Sequence, residues 1–211
     1  MQNKGLLIVI SGFSGVGKGT VVSELLKRYP DLYSLSISAT TRPMRPGEEE
    51  GVHYFYRTRE AFENMIASDS LLEFAEYNGN YYGTPKDYVL SEMESGKNVI
   101  LEIEVQGALK IRQKFPEAFL IFILPPDARS LYERLVKRGT ETEDVIRNRM
   151  KRALVEAEYA PYYHVCPVND DLEKCIEETH SLIINKQKEM EERRRLLSSI
   201  TEELALIVEN K

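Results

Sequence analysis

A glycine-rich segment near the N-terminus has the residue types and spacing of a phosphate-binding loop. Residues 12–18 read Gly-Phe-Ser-Gly-Val-Gly-Lys and match the pattern G-x-x-x-x-G-K. Glycines let consecutive backbone N–H groups turn toward a phosphate, and a following helix adds the positive end of its dipole. Lys18 would add a point charge near the β- and γ-phosphates of a nucleotide. The expected loop residues are Gly12, Ser14, Gly15, Val16, Gly17, Lys18, Gly19 and Thr20.

The residue after the lysine departs from the usual loop. Many phosphate loops place Ser or Thr there as a ligand of Mg²⁺, whereas this chain has Gly19 followed by Thr20. Gly19 has no side chain that can bind a metal. We therefore expect either that Thr20 takes part or that Mg²⁺ is held mainly by phosphates and water, as it often is.

Two arginines follow in a segment with little core hydrophobicity. Arg42 and Arg45 lie three residues apart in the stretch SATTRPMR, next to proline and glycine. A guanidinium group binds phosphate oxygens in a bidentate way, so the pair suits a second phosphate. A charged surface loop is the alternative interpretation.

A carboxylate with hydroxyl groups nearby suggests recognition of a base. Glu73 precedes Tyr82 and Thr84 in the stretch EFAEYNGNYYGT. Guanine offers two adjacent donors, N1–H and the 2-amino group, to an acceptor-only carboxylate. Adenine has an acceptor at N1, which would repel it. A buried Glu73 would therefore select guanine, although a glutamate on an exposed strand is the commoner case.

The surrounding pattern predicts an α/β fold that could position these residues. Apolar runs rich in branched residues predict strands buried on both faces, at residues 6–10, 98–103 and 118–124. Helical stretches accompany them at residues 20–29, 86–94 and 105–114. This alternation favours a parallel sheet covered by helices.

Two regions interrupt the alternation. Residues 36–84 include Asn78-Gly79 between strand-like segments, which predicts a hairpin in a small, partly antiparallel insert. Residues 127–159 are helical and rich in Arg and Lys, with a break near Gly139-Thr140. Residues 165–168 read as a last short strand, and the chain from about 171 onward reads as helix.

The composition is that of an ordinary globular chain of 211 residues with a formal net charge of −6. The acidic balance is atypical of proteins that coat nucleic acid, so we expect no such partner. No run reaches the roughly 18 apolar residues of a membrane span, so we expect no membrane association. The two cysteines, Cys166 and Cys175, are too few for a disulfide scaffold, which favours the reducing cytoplasm.

Together, the motifs resemble those of bacterial guanylate kinases over essentially residues 4–185. The motifs are ISGFSGVGKGT, SISATTRPMRPGEEEGVHYFY, EFAEYNGNYYGT, LEIEVQGA, RLVKRGTETE and VNDDLE. The resemblance implies a P-loop three-layer α/β/α core with a parallel sheet, a small mixed-sheet GMP-binding insert and a helical lid. We expect the core at about 1–35, 86–126 and 165–211, the insert at about 36–85, and the lid at about 127–164.

The resemblance also implies roles for individual residues. The GMP phosphate would be held by Arg42, Arg45, Tyr54 and Tyr82, and the guanine by Ser38, Glu73 and Thr84. Glu104 would lie near the GMP ribose and base edge or the metal, with Glu102 as the competing candidate. Arg134, Arg138 and Arg149 would meet the ATP phosphates, and Asn169 with Asp170 would line the adenine pocket. The expected catalytic residues are Lys18, Arg42, Arg134, Arg138 and Arg149.

The implied reaction is reversible transfer of the ATP γ-phosphoryl group to GMP, giving ADP and GDP, with Mg²⁺. GMP and dGMP are the expected acceptors. The residues assign no definite protein ligand to the metal, with Thr20 and Glu104 as possibilities, and leave monomer or homo-oligomer open. Alternatives are a non-catalytic binding module, a kinase for another nucleoside monophosphate, and a regulatory nucleotide sensor.

Overall fold

A computed structural model describes residues 4–77, 79–137 and 142–209. Its strands are β1 (Leu7–Gly12), β2 (Tyr33–Leu35), β3 (Ala39–Thr40), β4 (Phe55–Tyr56), β5 (Leu71–Tyr77), β6 (Asn80–Pro85), β7 (Asn98–Glu102) and β8 (Phe119–Ile123). Its helices are α1 (Lys18–Arg28), α2 (Arg59–Ala67), α3 (Lys86–Glu94), α4 (Val105–Lys114), α5 (Ala128–Lys137), α6 (Glu143–Tyr159) and α7 (Leu172–Glu209), with a 3₁₀ turn at Ala160–Tyr162.

A parallel sheet with the strand order β2-β7-β1-β8 lies between two hydrophobic layers. On one face, Ile8 and Ile10 of β1 pack in a core that includes residues of α1 and α7. On the other face, Leu7 and Val9 pack in a core that includes residues of α3 and α4. Successive side chains of a strand point to opposite faces, so the continuous apolar run of β1 fills both cores. The predicted three-layer arrangement is confirmed.

The predicted bounds of α3 and α4 are confirmed, but α1 begins two residues earlier than predicted. Its first residue is Lys18, and Gly17 precedes it with φ 98°. A positive φ of this size favours glycine, so the chain can turn directly from the loop into the helix. Lys18 therefore lies in the first turn of α1.

The predicted last strand at residues 165–168 forms only isolated bridges to β8. Ile121 pairs with Val165 and Leu124 with Val168. The N–H of Phe122 donates to the carbonyl of Val165 at 3.0 Å. The next bond of this parallel pairing, to the Phe122 carbonyl, would need an N–H from Pro167, which has none, so the ladder is interrupted.

A second, mixed sheet has the order β4-β3-β6-β5. Strands β3 and β4 are parallel, whereas β6 runs antiparallel to both β3 and β5. The predicted β5–β6 hairpin is present and Gly79 has φ 74°, while Asn78 lies outside the described residues. Helix α2 was not predicted, although Thr58 caps it by accepting the Ala61 N–H at 3.1 Å.

Helices α5 and α6 follow β8, and their connection includes residues 138–141, which lie outside the described residues. The predicted break near Gly139-Thr140 and the predicted site residue Arg138 both fall there. Helix α7 has 38 residues, which confirms the helical C-terminal region. Across the described ranges, we find no helix with the length and apolar character needed to cross a membrane.

Candidate functional site

The glycine loop connects β1 to α1 and has a tightly specified backbone. Gly15 and Gly17 have φ values of 94° and 98°. A Cβ atom at residue 17 would lie 2.7 Å from Nδ2 of Asn169, so a larger side chain would clash. The Lys18 ammonium donates to the carbonyls of Gly12 at 2.8 Å and Phe13 at 3.3 Å. The loop therefore holds a cation against its own backbone, where an anionic ligand could draw it outward.

A cavity of about 400 Å³ opens on one side of this loop. Arg134 donates to the carbonyls of Val16 at 3.3 Å and Asn169 at 2.7 Å. Asn169 also donates from Nδ2 to Val16 O at 2.8 Å. The cavity is lined by Gly15, Val16, Gly17, Thr20, Arg134, Lys137, Asn169, Asp170 and Leu172. The structure thus brings Thr20, Arg134, Asn169 and Asp170 to the loop, and adds Lys137, which the motifs did not suggest.

Helix α6 contacts the other side of the loop through Ser14. Arg149 donates to the Ser14 hydroxyl at 2.8 Å, and the Ser14 N–H donates to Oε2 of Glu156 at 3.1 Å. Glu156 is buried, and burial raises the pKa of its carboxyl group, opposed by the Ser14 N–H bond. Sequence reasoning missed Glu156. Its helical spacing from Ala153, which is also buried, could have indicated a charged residue on the inner face of α6.

The two carboxylates at the end of β7 and just after it, Glu102 and Glu104, occupy different surroundings. The oxygens of Glu102 lie 3.6 and 3.8 Å from the place of a Cβ on residue 19. Burial raises the pKa of Glu102, and the charge of Lys18 opposes this shift. Glu104 precedes α4 as its N-cap residue and pairs with Arg152 at 2.7 Å. Glu102 is therefore the carboxylate beside the position where other loops carry Ser or Thr.

A larger cavity of about 770 Å³ lies between the loop, the mixed sheet and α6. The predicted residues that line it are Ser14, Ser38, Tyr54, Glu73, Tyr82, Glu102, Glu104 and Arg149. Residues not assigned a role from the sequence also line it: Gln106, Lys110, Asn148 and Arg152. Because both Ser14 and Glu73 line it, the glycine loop and a buried carboxylate face one cavity.

Arg42 is held by a carboxylate that sequence reasoning missed. Its two terminal nitrogens lie 3.0 and 2.8 Å from the oxygens of Glu48, and its guanidinium lies over the Tyr54 ring at 5.3 Å. The Arg42 guanidinium, the Arg45 N–H and the Tyr56 hydroxyl hold the pKa of Glu48 at about 2. The Arg45 side chain is exposed. The pairing could have been suspected from the opposite charges of Arg42 and Glu48 within one short loop.

Glu73 has the burial that base recognition requires. Its residue exposure is only 8%, and the Thr84 hydroxyl donates to Oε1 at 2.8 Å. The Oε2 atom lies 3.1 Å from the place of a Cβ on Gly107, so α4 approaches this carboxylate closely. Burial raises the pKa of Glu73, and the Thr84 bond and the charges of Lys110 and Lys114 oppose the shift. The carboxylate is thus desolvated beside a hydroxyl that fixes its orientation.

Comparison with known proteins agrees with this geometry. The guanylate kinase family model matches residues 4–186. Curated guanylate kinases include those of Halalkalibacterium halodurans, 52% identical over 86% of this chain and 89% of that protein, and Bacillus subtilis, 50% identical over 87% and 90%. A crystal structure of guanylate kinase from Anaplasma phagocytophilum matches with a TM-score of 0.68 and 29% identity, covering 89% of this chain and 88% of that one. The chain belongs to the guanylate kinase family.

Proposed function

We propose that the chain transfers the γ-phosphoryl group of ATP to GMP and releases ADP and GDP. The observation that carries this proposal is the shared cavity, which is lined both by Ser14 of the glycine loop and by the buried Glu73. Nucleotide kinases must align two phosphates for the reaction. Their selectivity comes from recognition of the acceptor's nucleobase, which takes no part in the reaction. Kinase activity and guanine recognition therefore need the same cavity.

Guanine would be read by the buried pair of Glu73 and Thr84. The ionised carboxylate accepts N1–H and the 2-amino group, and Ser38 lines the same cavity as a further hydroxyl. Adenine would place an acceptor against the carboxylate and leave it without a donor. Sites that pair a buried polar group with the substrate reject the wrong one by about 10⁴-fold. GMP and dGMP share the base and are both proposed acceptors.

The GMP phosphate would bind between Arg42 and the rings of Tyr54 and Tyr82. Arg42 lies over the Tyr54 ring, and the Tyr54 and Tyr82 ring centres are 6.1 Å apart. The Arg42–Glu48 ion pair orients the guanidinium before the phosphate arrives. Arg45 begins the same turn and would add its exposed side chain to the phosphate.

Phosphoryl transfer would then be a direct displacement between the two bound nucleotides. An oxygen of the GMP phosphate forms a bond to the γ-phosphorus of ATP while the bond to the β,γ-bridging oxygen breaks, so ADP leaves. Phosphate oxygens are already nucleophilic at neutral pH, and no general base is needed. Lys18, Arg134 and Arg149 would offset the charge on the transferring group, together with Arg138, which lies outside the described residues.

Residues close to Gly19 offer the oxygen ligands that Mg²⁺ prefers. The Glu102 carboxylate lies beside Gly19, and Thr20 follows in the first turn of α1. We propose Glu102, which lies beside Gly19, as the first candidate ligand of Mg²⁺, and Thr20 and Glu104 as the other candidates. When bound, Mg²⁺ would offset the charge that develops on the transferring phosphoryl group.

We further propose that the segments act as a core, a GMP-binding insert at about 36–85 and a lid at about 127–164. The insert holds the mixed sheet with Glu73 and Arg42, and the lid holds α5 and α6 with their arginines. Closure of the lid would exclude water and so prevent ATP hydrolysis. We place the reaction in the cytoplasm, where the free cysteines Cys166 and Cys175 stay reduced.

A coupled assay of ADP release tests the proposal. Purified protein is supplied with ATP, Mg²⁺ and one of GMP, AMP, UMP or dTMP. We expect rapid turnover with GMP and at most traces with the others. Turnover with another monophosphate would keep the kinase and reject guanine reading by Glu73. Folded protein that binds GMP without any turnover would indicate a binding module.

A further inference from the structure

We propose that Glu156 is a positioning residue that fixes the glycine loop against α6, so that Arg149 meets the transferring phosphoryl group in the right place. Glu156 is one of the buried charged side chains of the described region and has no part in the reaction as derived above. This inference rests on the proposed kinase function.

The first observation is that α6 contacts both polar groups of one loop residue. Arg149 binds the Ser14 hydroxyl, and Glu156 binds the Ser14 N–H. The two side chains are about two helical turns apart and therefore share a face of α6. Ser14 is thus bound by the helix that carries Arg149, and a shift of one moves the other.

The second observation is that both carboxylate oxygens of Glu156 have partners. Oε2 accepts the Ser14 N–H at 3.1 Å, and Oε1 lies 3.2 Å from Nε of Arg152. Arg152 continues to Glu104 at 2.7 Å, at the start of α4. The side chain of Glu156 is only 3% exposed. A buried charge of this kind is tolerated when it is paired and hydrogen-bonded.

These contacts join three parts of the molecule at one carboxylate. The glycine loop, the lid helix α6 and the N-terminus of α4 meet through Ser14, Arg152 and Glu104. Small displacements of reacting groups cost large factors in rate, up to about 10²-fold for 1 Å. The effect of Glu156 should therefore appear mainly in kcat, because none of the side chains proposed to bind the GMP base or phosphate is a partner of Glu156.

The test uses the near-isosteric change Glu156→Gln, with Glu158→Gln as the matched control. Glu158 is an exposed glutamate on the same helix. For Glu156→Gln we expect kcat to fall about tenfold, with the KM for GMP within about twofold of wild type. Glu156→Asp, which keeps the charge, should recover part of the loss. Thermal unfolding is followed for each variant, so that kcat refers to folded protein.

A double-mutant cycle separates positioning from a structural role. If Glu156 acts through the placement of Arg149, then in an Arg149→Ala background the further change Glu156→Gln should cost less than about twofold in kcat. A full tenfold loss in that background would overturn the inference. So would a Glu156→Gln enzyme with a lowered Tm but the kcat of the Glu158→Gln control. An inactive wild type would instead reject the proposed function itself.

Discussion

The two sides of the site consist of different kinds of chemical groups. On the proposed ATP side, the glycine loop is shaped by backbone, with Gly15 and Gly17 at positive φ and Lys18 bound to loop carbonyls. On the proposed GMP side, the groups are side chains of the insert, with Arg42 held by Glu48 and a buried Glu73 held by Thr84. A backbone cradle keeps its donors at any pH, whereas the GMP side depends on ionised carboxylates.

This difference fits the two ligands. Phosphates are alike in every nucleotide, so a cradle of N–H groups and one cation is sufficient for them. The guanine edge differs from adenine in the order of donors and acceptors, and only placed side chains can read it. Substitutions on the GMP side should therefore reduce selectivity, and substitutions on the ATP side should reduce the catalytic rate.

The largest effect should come from removing the loop cation. Lys18→Met keeps most of the side-chain volume but deletes the charge that should follow the phosphates. We expect kcat to fall by about 10³-fold, with a smaller change in GMP affinity measured by calorimetry. Lys27→Met, at an exposed position of the same helix, is the control. Equal losses of kcat in both variants would reject the role of Lys18.

Removing the Glu73 charge should act on selectivity instead. Glu73→Gln replaces one acceptor oxygen with a donor that opposes the guanine edge. We expect kcat/KM for GMP to fall by about 10²-fold, while the Kd for ATP stays near wild type. The exposed Glu63→Gln on α2 serves as the control. If GMP remains as good a substrate as before, Glu73 does not read the base.

The pH dependence should follow the same carboxylate. Burial raises the pKa of Glu73, so its acid form persists to a higher pH than that of an exposed glutamate. As the pH falls through this raised pKa, the proton occupies the acceptor and kcat/KM for GMP should drop several-fold. The GMP phosphate also titrates, and the Glu73→Gln enzyme corrects for it. An identical acid limb in that variant would contradict the assignment.

The smallest effect should be on stability at the Arg42–Glu48 pair. The pKa of Glu48 is about 2 when folded, against an ordinary value of 4.5. Its stabilising contribution should be complete above pH 4.5 and disappear as the pH falls toward 2. The urea midpoint of wild type should thus exceed that of Glu48→Gln at neutral pH and converge with it in acid. A gap that does not vary with pH would contradict this, and the neighbouring exposed Glu49→Gln is the control.

The conformation of the glycine loop is more local, and so easier to predict from the sequence, than the contacts around Arg42 and Glu73. Glycines at positions 12, 15 and 17 and the following lysine are consecutive in the chain, so local spacing carries the cradle. Apolar runs predicted β1, β7 and β8, since both faces of these strands are buried. The start of α1 was misplaced because the glycine at its N-cap resembles a loop residue.

Contacts between distant segments could not be predicted in this way. Glu156 meets Ser14 only because α6 folds back over the loop, and no local pattern encodes that approach. The choice between Glu102 and Glu104 also depends on tertiary structure, because the two residues lie only two positions apart at the end of the same strand. The residue pattern and the resemblance both suggested Glu73, but only the fold shows that it is buried beside Thr84.

Following the terminal phosphate of ATP would test the central claim most directly. ATP labelled at the γ-phosphorus is incubated with Mg²⁺, GMP and the wild-type protein, and the products are separated. We expect the label to appear in the β-phosphate of GDP, with little released as inorganic phosphate. Label found in inorganic phosphate, or retained in ATP by folded protein that binds both nucleotides, would contradict direct transfer between the two sites.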